Sequence, residues 1–251
     1  MMNVEYFRQF FLAHGARIVH DGENCASIYI NSFAHYEDAT SGSITWMRHP
    51  PSKAYEGTVL ILNDPYPHHC LPEQLIVQHS SPRTLVTATL KQFFLHNAAA
   101  IIRAPSALVQ KTALLGVEAQ NYECIDGRWQ PIPAVGGVFI GKDVHILDYT
   151  TVVRGTVGNT TIEDGCRIGR YVNIGHDTRL DQHTLIVSHA SLAGWVRVGK
   201  RCRIYQGAMI RNGVRIGDDA IIGMGAVVTK NVGPGEIWAG NPARCIDHVK
   251  P

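Results

Sequence analysis

From Ile162 onward the chain repeats itself every six residues. Apolar side chains stand at Ile162, Ile168, Ile174, Leu180, Ile186, Leu192, Val198, Ile204, Ile210, Ile216, Ile222 and Val228, with no slip in the spacing. The residue after each is often glycine (Gly169, Gly175, Gly199, Gly217, Gly223), and the fifth place holds Val172, Thr178, Thr184, Ala190, Val196, Ala208, Val214, Ala220 or Ala226. A period of six suits neither a coiled-coil heptad nor an amphipathic helix. It suits a parallel β-helix in which each hexad makes one short strand and one corner. The fold class expected is therefore mainly β. The repeat starts weakly at Ile102, Leu108 and Leu114, breaks near Gln120, and resumes at Ile140, Ile146 and Val152. A four-residue offset inside 154–161 predicts a bulge or short loop before the unbroken run.

The rest of the chain reads differently. Residues 3–14 predict a helix with Asn3 as cap, Val4, Phe7 and Phe11 on one face, and Gly15 as its end. Ile28 to Ile30 and Val59 to Leu62 read as strands, and 39–46 as a turn feeding another. Ser81-Pro82 opens a second helix running to about His96, with Leu85, Thr89 and Phe93 on one side. Three regions result: a small α/β domain over 1–98, a β-helix over 99–233, and a C-terminal cap over 234–251. Within the β-helix a hairpin excursion lies near 120–137, around Asp126-Gly127.

Bulk properties narrow the function. A net charge of +2 gives no basic field for nucleic acid. No apolar run is long enough to span a bilayer, and the start, Met1-Met2-Asn3-Val4-Glu5, lacks the pattern of a signal peptide. The six cysteines show no metal or redox spacing; Cys166 and Cys202 fall at inward places in their hexads. A cytoplasmic location is expected. His68-His69-Cys70 has no matched ligands around it and reads as a plain loop, so no metal site is expected.

Hexad arrays of this kind resemble the left-handed β-helix acyltransferases, and the left hand comes from that resemblance alone. Several stretches are similar to the lipid A branch, the UDP-acylglucosamine N-acyltransferases. They are Ala39-Thr40-Ser41-Gly42-Ser43-Ile44-Thr45-Trp46, Asp126-Gly127-Arg128-Trp129-Gln130-Pro131-Ile132-Pro133, Gly137-Val138-Phe139-Ile140-Gly141, Tyr149 to Thr156, and Val172-Asn173-Ile174-Gly175-His176-Asp177. Two departures matter. There are fewer early coils than in that branch, and its helical C-terminal extension is not seen. Instead Gly225-Ala226-Val227-Val228-Thr229-Lys230 and Ala239-Gly240-Asn241-Pro242-Ala243-Arg244 resemble the acetyl-CoA-dependent sugar acetyltransferases. His176-Asp177 also resembles the His-acid pair of acyltransferases acting on nucleotide-linked amino sugars.

The resemblance implies a homotrimer with sites in the grooves between subunits, and transfer of acetyl or a 3-hydroxyacyl group from acyl-CoA. The acceptor implied is the amine of a nucleotide-linked amino-dideoxy sugar, dTDP-linked in the first instance, for surface glycans. No permanently bound cofactor is implied. The alternatives are an acyl-carrier-protein-dependent enzyme of lipid A synthesis and a non-catalytic β-helix scaffold. The residues fit the chemistry: a histidine near its ordinary pKa of ~6.5 suits removal of a proton from an attacking amine. Its place in the hexad puts His176 at a corner, with Asp177 next to orient it; the resemblance implies three hexads per coil, which would stack Gly194, eighteen residues on, over His176 and offer its amide to an oxyanion. Otherwise His176 is an ordinary corner histidine. Trp46, His49 and Tyr55 match positions that hold the nucleotide base, though Trp46 equally suits the small domain's core. His189, Lys230 and Arg244 match the CoA side, and otherwise read as solvated or interface groups. His183, Arg211 and Arg215 are weaker candidates, and Arg154 suits shaping the offset loop.

Overall fold

The computed structural model describes residues 2–21, 29–30, 32–33, 43–47, 58–62, 74–94, 100–125 and 127–249. They form two units. One comprises Met1–His96 with Asn121–Pro133, and the other Asn97–Gln120 with Ala134–Pro251. The hairpin excursion, placed with the β-helix on sequence grounds, thus groups with the first unit.

In the first unit a five-stranded sheet runs in the order Arg17–Asp21, Gln74–Gln78, Thr58–Leu62, Ser43–Met47, Ser32–Phe33. Its first pair is antiparallel and the others are parallel. Helix α1 (Val4–Ala13) buries Val4, Phe7 and Phe11, the face its spacing predicts, and Gly15 at φ +78° ends it. Helix α2 (Pro82–Thr89) buries Leu85 and Thr89 and continues as a π-helical turn over Leu90–Phe94. Ser81 precedes α2 but makes no side-chain cap. Its hydroxyl sits 2.7 Å from that of Thr84, which competes for it, and its N–H donates to His79 Nδ1. Tyr122–Ile125 and Arg128–Pro131 pair as the expected antiparallel hairpin.

The second unit is a parallel β-helix with three sheets of six, six and eight strands. Through the unbroken run from Ile162 to Val228 each coil takes eighteen residues, so Asn173 pairs with Ser191 and Ser191 with Met209. The first residue of each hexad points inward: Ile162, Ile174, Leu180, Ile186, Leu192, Ile204, Ile222 and Val228 are fully buried. The fifth residue fills the space beside the corner. There Thr178 and Thr184 satisfy their buried hydroxyls by donating to the carbonyls of Ala193 and Gly199. Cys166 and Cys202 also lie inside. Burial pushes their thiols up to about 11 and about 12, and each donates to a carbonyl, of Asp181 and Gly217. They are fillers rather than nucleophiles.

The corners explain the repeat's other letters. The fourth residue of nearly every hexad has positive φ, at Tyr171, Asp177, His183, His189, Trp195, Arg201 and Asp219 as well as at Gly165, Gly207, Gly213 and Gly225. The second carbonyl accepts the fifth N–H, as between Val187 and Ala190 or Tyr205 and Ala208. This is a turn with its third residue left-handed, a conformation costing roughly 1–2 kcal/mol for a residue with a Cβ. Stacking offsets the cost. The fourth N–H donates to the third carbonyl of the coil below, as Trp195 does to His176 at 2.9 Å and His189 to Arg170 at 3.0 Å.

The first coil departs from the spacing read in sequence. Val109, not Leu108, pairs with Ile146, and Leu115, not Leu114, pairs with Val152. Leu108 and Leu114 are 59% and 56% exposed, as expected when the register slips by one residue and every side chain changes face. At the other end, Glu236–Gly240 adds in parallel to Ile221–Ile222 and then turns back in an antiparallel hairpin with Ala243–His248.

Candidate functional site

The four-residue offset becomes a loop, and that loop builds the surroundings of His176. Arg154 holds it, donating from Nε to the Gly136 carbonyl at 2.9 Å and pairing with Glu118 at 3.1 Å. A side chain at Gly155 would lie 1.8 Å from the Gly158 carbonyl, so the loop closes only without one. Three successive N–H groups at its tip, of Thr156, Val157 and Gly158, then donate to the Asp177 carboxylate at 2.7, 3.2 and 3.1 Å. Asp177 occupies a left-handed corner position, and its side chain is only 3% exposed. A carboxylate out of water demands such partners, and these fix its orientation.

His176 Nδ1 lies 2.9 Å from Asp177 Oδ2 and 3.2 Å from Thr156 Oγ1. With the Nδ1 proton donated to the carboxylate, the lone pair is left on Nε2. The imidazole is 16% exposed and meets the edge of Trp195 at 6.0 Å between ring centres. Gly194 lies directly against the ring. A Cβ there would be 2.4 Å from Nε2 and 2.5 Å from Cε1, so the imidazole occupies the space a side chain would need. The Gly175 position is equally closed, since its Cβ would lie 2.5 Å from the Ala193 carbonyl carbon. The pieces are one coil apart and held on both sides, the preorganisation a general base needs.

Thr156 and Trp195 are the members of this cluster that the sequence reading missed. The offset in the repeat marked where the loop would be, but only the fold shows that its N–H groups point at Asp177.

The other candidates lie elsewhere. His189 stands exposed at a different corner, stacked on Tyr171, which stacks on Tyr149, each pair 5.0 Å apart and within 12° of parallel. Lys230 is exposed on the last coil, and Arg244 is exposed on the terminal hairpin. His183 covers the Gly165 corner, and Arg215 shares a cleft of about 240 Å³ with Arg179, Arg197 and Asp181. Trp46 falls in the strand Ser43–Met47. His49, Tyr55 and His68-His69-Cys70 lie outside the described residues. No described helix is long and apolar enough to cross a membrane.

Comparison with known proteins agrees with this architecture. Residues 196–230 match the bacterial transferase hexapeptide family (six repeats). The UDP-3-O-acylglucosamine N-acyltransferase of Bordetella parapertussis is 36% identical over 106 residues, 42% of this chain and 29% of that protein. That of Delftia acidovorans is 31% identical over 127 residues, 51% of this chain and 38% of that protein. The chain thus spans about a third of the length of these relatives. The structure of LpxA from Acinetobacter baumannii superposes with a TM-score of 0.53 at 16% identity, covering 88% of this chain and 72% of that one, a likeness of fold. Residues 196–230 carry the repeat of the bacterial transferase hexapeptide family, and the hexad spacing and stacked corners continue the same architecture along the solenoid from Ile162.

Proposed function

We propose that this chain is an N-acyltransferase that moves a short acyl group from acyl-CoA to the amine of a nucleotide-linked amino sugar. One observation carries the reading: His176 is oriented through Nδ1 by a buried, triply amide-bonded carboxylate, which leaves Nε2 as the proton acceptor. In the reaction the amine nitrogen attacks the thioester carbonyl while its proton passes to Nε2. Asp177 stabilises the imidazolium that forms. The Gly194 N–H donates to the carbonyl oxygen as it gains charge. The C–S bond then breaks, an amide remains, and the departing thiolate takes the proton from the imidazolium. No covalent enzyme intermediate is required, and the buried thiols of Cys166 and Cys202 suit none.

The homotrimer, the dTDP-linked sugar, and the roles of Trp46, His49, Tyr55, His189, Lys230 and Arg244 belong to the same proposal. A second reading, acyl carrier protein as donor and a UDP-acylglucosamine as acceptor, is supported by the names of the curated relatives. Mass spectrometry of mixtures containing acetyl-CoA, 3-hydroxybutyryl-CoA or a 3-hydroxyacyl carrier protein, each with dTDP- and UDP-linked amino sugars, separates the two. An amide formed from a CoA donor supports the first reading. An amide formed only from the carrier protein replaces it with the second. Neither, in folded protein, overturns both.

A further inference from the structure

The terminal hairpin holds a second group of reactive side chains that the acyl-transfer reading does not use. Glu236 stands opposite His248, and Ile237 opposite Asp247. The register then slips so that Trp238 faces Cys245, and Ile246 is the extra residue of a bulge. In a regular strand, residues three apart point to opposite faces. The bulge cancels that difference and re-aims Cys245 to the side of His248 and Glu236. As a result a carboxylate oxygen, a thiol sulfur and an imidazole nitrogen all lie within 4.8 Å of one another. Glu236 is already anchored. Its Oε2 accepts the Gly233 N–H at 2.6 Å and Trp238 Nε1–H at 2.8 Å, and neither bond uses Oε1. Cys245 and His248 are exposed, and the Cys245 thiol donates to the Asp247 carbonyl at 3.5 Å, a contact that metal binding would replace.

We propose that Glu236, Cys245 and His248 bind a borderline-soft divalent metal ion, zinc in the first instance. One oxygen, one sulfur and one nitrogen are the donors zinc takes, at bond lengths of about 2.0–2.3 Å, and a water completes four-coordination. A thiolate and an imidazole disfavour magnesium and calcium, which take oxygen ligands. Binding releases the Cys245 thiol proton to solvent. The ion clasps the two strands of the hairpin and, through Glu236, the Gly233 turn that leads into it. Its role is to fasten the open end of the β-helix, apart from the chemistry at His176.

The test uses the full chain. Protein dialysed against zinc and then against metal-free buffer is assayed for zinc per chain. A cobalt-loaded sample is read for the near-ultraviolet thiolate-to-cobalt charge-transfer band. The expected result is one ion per chain with that band, both lost in Cys245→Ser and His248→Ala, and a zinc-dependent rise in Tm in the wild type that the variants lack. No retained zinc and no band in the wild type overturns the proposal. So does zinc retained in full by both variants, since the ion then sits elsewhere, for example at His68-His69-Cys70. Each readout is independent of acyl-transfer activity.

Discussion

Gly194→Ala separates the site from the scaffold. The added methyl would lie 2.4 Å from His176 Nε2, against the 3.4 Å at which ordinary contact begins, so the imidazole must withdraw by about 1 Å. It is boxed in: Nδ1 is bonded to Asp177, Trp195 lies edge-on, and the Asp177 carboxylate is held by three N–H groups. The ring therefore rotates out of its bond rather than sliding along it. A displacement of that size from productive geometry costs on the order of 10²-fold in rate. Stability moves differently. Gly194 does not carry the positive φ that its neighbour Trp195 does, so alanine suits its backbone and gains roughly 0.4–1 kcal/mol by restricting the unfolded chain. That gain opposes the cost of moving the ring, and Tm should stay within a few degrees of wild type. The assays are thiol release with the productive donor and acceptor, thermal melting, and the imidazole carbon–proton correlations of His176. Wild-type turnover with an unmoved His176 signal would refute the reasoning. A collapsed fold would refute it too, by showing that the corner rather than the histidine needed the glycine.

Other outcomes follow from the same geometry. Asp177→Asn turns an NH₂ toward backbone N–H groups that now have an acceptor, which should cost ~1–3 kcal/mol in a denaturant titration and lower turnover by releasing the tautomer of His176. Thiol reagents at mildly alkaline pH should modify exposed Cys124 and Cys245 promptly, and Cys166 and Cys202 only on unfolding; labelling of the latter pair in the native state would contradict their burial. Arg201 bonds Asp219 through two nitrogens and holds its carboxyl below the usual range, so this contribution is present above the ordinary carboxylate pKa and lost as pH falls through the folded value. Asp219→Asn should therefore melt below wild type at pH 7, with the difference closing in acid; a gap that persists in acid speaks against the ion pair.

The β-helix was legible because its period is unique to it and every inward Ile, Leu or Val repeats the message. The first coil was not, because Leu108-Val109 and Leu114-Leu115 each offer two adjacent apolar residues, and only pairing with Ile146 and Val152 decides between them. Positive φ at the fourth hexad place was hidden for a related reason. Glycine marks it at Gly207, Gly213 and Gly225, but tyrosine, tryptophan and arginine fill it at Tyr171, Trp195 and Arg201, where stacked hydrogen bonds override local preference. His176, Asp177 and Gly194 stand out as candidates by motif and by the eighteen-residue coil, and the fold brings the three together. The loop that holds Asp177 was visible only as an interruption, since sequence does not say where backbone N–H groups point. The Glu236, Cys245 and His248 group was invisible for the same reason, because a bulge brings it together.

The most direct test of the central claim is turnover of His176→Ala beside wild type, measured as thiol release with the same acyl-CoA and nucleotide-linked amino sugar. Removing a positioned general base should lower kcat by ~10²–10⁴-fold while the melting curve stays cooperative. A folded His176→Ala protein that turns over at the wild-type rate would contradict the account, and the base would have to be sought on another residue.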